Sequence, residues 1–207
     1  MAKPSAAIET AKNYYDSADA DTFYALIWDR EDIHIGLYQG ANDDIAAASQ
    51  RTIAHMAKQL SIKPEAHILD LGSGFGGASR YLASNHGAHV TALNLSSVEN
   101  ERHRQINERT GLSDSTTITD DNFEYIPCPD EHFDIVWSQD AILHSDMRET
   151  VLREVDRVLK KKGQFIFTDP MQPDTCPEGV LQPILDRIHL TSLGSLRFYR
   201  TSTSELG

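Results

Sequence analysis

The sequence predicts an α/β domain built on a doubly wound, mostly parallel sheet, and three observations carry that expectation. An apolar run containing an acid, Ile68-Leu69-Asp70-Leu71, leads directly into three closely spaced glycines, Gly72, Gly74 and Gly76, and then into a helix-compatible stretch over residues 77–84. From about Pro64 onward, short apolar strands alternate with helical stretches, the pattern of a parallel sheet covered by helices on both faces. The length of 207 residues suits one such domain with a sizeable core, alone or with a small cap.

The elements follow in order. Strands are expected at residues 67–71, 89–93, 115–119, 133–138 and 164–168, and helices at 77–84, 97–110 and 148–159. Lys160-Lys161-Lys162-Gly163 reads as the cationic, glycine-closed end of the last of these helices, as the helix dipole and C-cap preferences require. Ahead of the first strand lie an aromatic-rich segment, residues 14–38, and a helix over residues 43–60. They read as a helical cap or lid over residues 1–62, with the α/β core over residues 63–207. After the fifth strand comes one helical region, residues 177–193, and Thr203 or Ser204 then resembles the cap of a further helix. No sequence remains for a sixth and a seventh strand, so the core reads as C-terminally incomplete.

Composition excludes several classes of function. A net charge of −12 and an isoelectric point near 5.1 argue against nucleic acid or an anionic membrane as the main partner, since both demand a basic face. No run of about 18 apolar residues is present, and the opening MAKPSAAIETAK lacks the apolar core of a signal peptide. These features point to a cytoplasmic protein acting on a small molecule, as a monomer or homodimer. Cys128 and Cys176 stand far apart without a CxxC pattern, which favours free thiols over a disulfide or a metal pair. The nine histidines show neither HExxH nor HxH spacing, so no metal is expected.

The glycine segment HILDLGSGFGG, His67 to Gly77, suits a nucleotide-cofactor loop, because glycine lets backbone turn sharply and approach a ligand closely. It also satisfies the dinucleotide spelling GxGxxG through Gly72, Gly74 and Gly77. A dinucleotide site, however, wants an acid about 20 residues further on to hold the ribose, and here the second strand leads to Asn94. A glycine-rich turn without any ligand is the plain structural alternative. With Asp70 two residues before the first glycine, the segment resembles motif I of the class I methyltransferases, which bind S-adenosylmethionine.

The phrases ILDLGSGFGG, VTALNLSSVEN, PDEHFDIVWSQDAILHS and FYALIWDREDIHIGLY together resemble the sarcosine/dimethylglycine N-methyltransferases of glycine betaine synthesis. The likeness runs from about Tyr14 to Phe167. It implies S-adenosyl-L-methionine as cofactor, S-adenosyl-L-homocysteine as its product, and a small amine as acceptor. It also implies that His34, Ile35, Asn94, Leu95, Asn122, Phe123 and Gln139 line the cofactor together with Asp70, Gly72, Ser73 and Gly74 of the loop. Asn94 stands where the family usually has an acid for the ribose diol, and Asp121 stands where relatives often have glycine. An ordinary polar turn is the alternative reading of the segment at Asn122.

Phosphoethanolamine methyltransferases share the DAILH element and are the nearest rival. A nearby acceptor helps to generate the neutral amine, and His144 is the candidate; by similarity to them it is expected to latch an N-terminal tyrosine, Tyr15 first and Tyr14 second, while Asp140 attracts the ammonium. Methyl transfer rests on positioning and exclusion of water, and an ammonium product suits aromatic faces, here Tyr14, Tyr15, Trp28 and Tyr38. Arg51 is the candidate for the substrate carboxylate. A cofactor-binding but inactive, regulatory chain is the reading of a different class.

Overall fold

Parallel strands cannot be joined by a hairpin, and each connection must cross over the sheet. The computed structural model, which describes residues 5–27 and 31–206, follows that constraint. Five strands, β1 (His67–Leu71), β2 (His89–Asn94), β3 (Thr116–Asp120), β4 (Phe133–Gln139) and β5 (Leu159–Thr168), lie in the order β3-β2-β1-β4-β5, and every pairing is parallel. Helices α4 (Gly77–His86), α5 (Ser97–Thr110) and α6 (Arg148–Val158) lie between the strands in sequence. The strand order reverses between β1 and β4, the point at which open α/β sheets bind ligands beyond their carboxyl ends. The register sets Leu71 opposite Leu93 and Ser138, so the residues that follow β1, β2 and β4 emerge along one edge.

Strand alternation divides the core. Leu69 and Leu71 join Leu93, Phe133 and Val136 under α6, which contributes Val151, Leu152, Val155 and Val158. Ile68 joins Val90, Ile135 and Trp137 on the opposite face beneath Ala78, Leu82 and Ala83 of α4. Both faces are covered, which explains why the strands read as continuous apolar runs. The N-terminal helices α1 (Ala6–Tyr15), α2 (Ala18–Ile27) and α3 (Ile45–Ala57) share this core. Ile8 belongs to the first cluster, and Ile53, Met56 and Ala57 to the second.

Most elements fall where the pattern places them, and α5 matches its expected span to the residue. Two expectations at chain ends are corrected. Lys160 to Gly163 do not close α6 but open β5, which starts at Leu159 with extended backbone. The last carbonyls of α6 need no glycine cap, because Glu131 N–H donates to Arg157 O at 2.9 Å and His132 N–H to Val158 O at 2.8 Å. Lys160 pairs with Asp134 across the β4–β5 register shift.

After β5 come α7 (Gln182–Ile188) and α8 (Leu196–Ser204). Thr203 and Ser204 end α8 and do not start a helix. Their hydroxyls donate backward to Tyr199 O and Thr201 O, whereas Ser195 is the N-cap. Among the described residues the sheet has five strands, and no helix is long and apolar enough to cross a membrane.

One buried group couples the loop to pH. His103 of α5 is fully buried beneath Gly76, with neither ring nitrogen hydrogen-bonded among the described residues. Burial, aided by the Arg80 and Arg104 guanidinium groups, pushes it down to about 3. The unfolded chain gains a proton there near pH 6.5 while the folded chain stays neutral, so this site removes stability as pH falls from 6.5 toward 3. His103→Leu is therefore expected to gain on the wild type by about 1.4 kcal/mol per pH unit between pH 6 and 4. Urea melts of both chains across that range check it, and a difference independent of pH would sink the assignment.

Candidate active site

The glycine loop is shaped by close approaches on both sides. Gly72 has φ +72°, and a Cβ there would lie 2.4 Å from Ala141 Cβ, so only glycine joins β1 to the loop in this turn. Asp70 is buried below, its Oδ2 accepting from Ser79 Oγ at 2.6 Å. Burial pushes its carboxyl up to about 6, with the Ser79 bond opposing the rise.

Residues 31–36 strap across the loop. Arg80 donates to Phe75 O at 2.6 Å and to Glu31 O at 2.5 Å, and Ser49 Oγ donates to Asp32 Oδ2 at 2.8 Å and to His34 O at 2.9 Å. Ile35 N–H donates to Asp140 Oδ2 at 2.8 Å, while Asp140 Oδ1 accepts from Thr168 Oγ1 at 3.1 Å. Asp140 holds these bonds with φ +48°, a backbone state that costs about 1 to 3 kcal/mol and concentrates at functional sites.

Loop, strap and α1 enclose a cavity of about 460 Å³ at the carboxyl edge of the sheet. His34, Ile35, Gly72, Gly74, Asn94, Leu95, Phe123 and Gln139 line one part of it, with Glu99 of α5. Gln139 is 1% exposed, and its Oε1 accepts from the buried Trp137 indole N–H at 3.0 Å. That bond fixes the amide orientation and leaves Nε2 without a partner among the described residues, a buried donor suited to a ligand oxygen. Asn94 Nδ2 donates to Glu99 Oε2 at 2.9 Å. The carboxylate absent from the end of β2 is thus supplied by the first turn of α5, five positions on.

Aromatic side chains close the other part. Tyr15 Oη lies 3.0 Å from His144 Nε2, with the two rings edge to face at 5.4 Å between centroids. Tyr14 and Tyr24 lie 5.1 and 5.9 Å from the Tyr15 ring, and Tyr14 lies 6.5 Å from His189. Burial, helped by the Arg148 charge, pushes His144 down to about 4. Burial and the neighbouring Tyr24 hold the Tyr15 hydroxyl well above its ordinary range. At neutral pH both side chains are therefore uncharged, a hydroxyl beside a neutral imidazole.

Several expected residues lie elsewhere. Asp70 and Ser73 are buried beneath the loop and do not line the cavity. Asn122 spends its Oδ1 on Glu124 N–H at 2.9 Å within a polar turn, and only Phe123 of that pair reaches the cavity. Arg51 pairs with Asp43 and donates to Leu37 O at 3.0 Å, closing the strap, and Tyr38 is 53% exposed outside the cavity. Trp28 lies outside the described residues. Sequence reading missed Glu99, Tyr24, Arg187 and His189. Arg187, on α7, is the cavity's only guanidinium among the described lining residues.

The fold agrees with comparisons to known proteins. Residues 69–167 match a family described as "Methyltransferase domain". The chain is 55% identical over 202 residues to the sarcosine/dimethylglycine N-methyltransferase of Halorhodospira halochloris, covering 97% of this chain and 72% of that protein. A crystal structure from Galdieria sulphuraria, assigned as a sarcosine dimethylglycine methyltransferase, superposes with a TM-score of 0.87 at 42% identity, over 91% of this chain and 74% of that one. Phosphoethanolamine N-methyltransferase 2 of Haemonchus contortus, solved with S-adenosyl-L-methionine, shares the fold at 17% identity (TM-score 0.81, 95% and 44% of the two chains). A relative 55% identical over 97% of this chain places this enzyme in the sarcosine/dimethylglycine N-methyltransferase family.

Proposed function

We propose that the chain transfers methyl groups from S-adenosylmethionine to the nitrogen of sarcosine and dimethylglycine, toward glycine betaine. The observation that carries this reading is the uncharged Tyr15 and His144 pair facing the glycine loop within one cavity. The lining fits the cofactor. Gln139 Nε2 suits its carboxylate, Asn94 and Glu99 suit the ribose hydroxyls, and Leu95 and Phe123 suit the adenine face. His34 and Ile35 cover it from the strap, and α1 and α2 act with the strap as the lid, while α3 packs in the core. When bound, S-adenosylmethionine supplies an electrophilic methyl group on a sulfonium.

The protein's part is to desolvate, orient and hold. A secondary or tertiary amine with a pKa of roughly 10, like that of lysine, enters mostly protonated, and the burial that keeps His144 neutral favours its uncharged form. Positive charge then develops on nitrogen in the transition state. The faces of Tyr14, Tyr15 and Tyr24, with Asp140 in the same cavity, stabilise that charge more than the neutral amine. Arg187 takes the substrate carboxylate. A single guanidinium favours a carboxylate over phosphate, which would demand more positive charge.

Calorimetric titration of the purified chain with S-adenosylhomocysteine, followed by assays on sarcosine, dimethylglycine and phosphoethanolamine, tests this reading. Binding with betaine formation is expected, and Arg187→Ala should raise KM for dimethylglycine about 100-fold with a smaller change in kcat. Binding without turnover on any acceptor would replace this reading with that of a regulatory chain. Preference for phosphoethanolamine would replace the substrate class.

A further inference from the structure

One buried carboxylate stands outside the cavity, in one segment that builds it, and touches two others. Glu124 is 9% exposed and is absent from the cavity lining. Its Oε1 accepts from Ser5 Oγ at 2.7 Å and from Ser145 Oγ at 2.7 Å, and its Oε2 accepts from Ser5 N–H at 3.2 Å. Each of the three segments carries a functional position. Phe123, one residue before Glu124, lines the cofactor part of the cavity. His144, one residue before Ser145, faces Tyr15. Ser5 is the N-cap of α1, and Tyr15 is the last residue of that helix.

A helix is stiff over ten residues, so fixing its first turn sets where its last turn lies. The far end of α1 has its own anchor, because Ser96 Oγ donates to Asp16 Oδ1 at 2.8 Å. Ile8 packs into the core between these two points.

We infer that Glu124 is a positioning residue that joins the cofactor loop after β3 to α1 and to the turn at His144, so that ordering the loop sets the Tyr15 and His144 pair. A carboxylate accepts from all three donors at once, with both oxygens and with charge-assisted bonds. In Glu124→Gln the charge is lost and one acceptor becomes an amide donor, so the hydroxyls facing it must turn from donors to acceptors. The inference rests on the proposed role of the Tyr15 and His144 pair, but its central readout is independent of that role.

The experiment compares wild type, Glu124→Gln, Ser5→Ala and the double variant by amide hydrogen exchange and kinetics, with and without S-adenosylhomocysteine. In the wild type, S-adenosylhomocysteine is expected to slow exchange across Ala6–Tyr15. In Glu124→Gln that slowing should be lost and kcat should fall about tenfold, while exchange in β1, β2 and β4 stays as in wild type. The double variant should lose less than the product of the two single effects, because both substitutions break one junction, while Ser5→Ala also removes the cap of α1.

Retained slowing across Ala6–Tyr15 in Glu124→Gln would overturn the inference. So would effects of the two substitutions that simply multiply, or faster exchange throughout the sheet, which would make Glu124 a general stability residue. Ser145→Ala gives the same test should Glu124→Gln fail to fold. If α1 uncouples as expected while Tyr15→Phe keeps full activity, the junction stands and the proposed role of the tyrosine falls.

Discussion

Tyr15→Phe and His144→Ala are each expected to lower kcat/KM by about 100-fold, with the double substitution costing little more than either alone. The hydroxyl and the imidazole form one unit at 3.0 Å, and misplacement of a positioned group by about 1 Å can cost on the order of 10²-fold. Groups acting as a unit lose their function when either is removed. The pH profile adds a sharper check. Burial holds His144 near 4, so no inflexion near pH 6.5 should appear in kcat/KM, and the rise of activity with pH should track deprotonation of the amine substrate. Steady-state rates from pH 5.5 to 9.5 on dimethylglycine decide it. An inflexion near 6.5 that vanishes in His144→Ala would mean that the histidine works as a titrating base and not as a neutral partner of Tyr15.

Gly76→Ala is expected to destabilise the fold by about 3 kcal/mol or more and to weaken S-adenosylhomocysteine binding at least tenfold. Two costs combine. The backbone sits at φ +81°, which for a residue with a Cβ costs about 1 to 2 kcal/mol. The new methyl would also lie 2.0 to 2.3 Å from the His103 ring atoms, an overlap that a packed interior relieves only by shifting backbone. Gly76 is the residue before α4, so such a shift moves the loop whose Gly72 and Gly74 line the cavity. In a His103→Ala background the overlap disappears and only the backbone cost remains, so Gly76→Ala should then cost about 1 to 2 kcal/mol. Chemical denaturation of the four chains measures this, and an equal cost in both backgrounds would rule out the overlap as its cause.

The sequence by itself determined whatever depends on neighbours in the chain. The run at Ile68 to Leu71 carries apolar residues on both faces of β1 because both faces are covered, and the glycines after it cluster because that turn has no room for side chains. The pairing of Tyr15 with His144, 129 positions apart, was legible only through resemblance to a family, and the geometry bears out the contact itself.

Tertiary structure decided what depends on convergence. Glu99 brings a carboxylate to Asn94 at the cavity, because the first turn of α5 lies within hydrogen-bonding distance of the end of β2. Arg187 and not Arg51 reaches the cavity, because Asp43 and Leu37 hold Arg51 in the strap. Lys160 to Lys162 opened a strand where their spelling suggested a helix end, because the chain at Glu131 and His132 already satisfied the last carbonyls of α6. In each case a short pattern permits several partners. The partner chosen is the one that packing brings within hydrogen-bonding distance, since a buried polar group left without one costs about 1 to 3 kcal/mol.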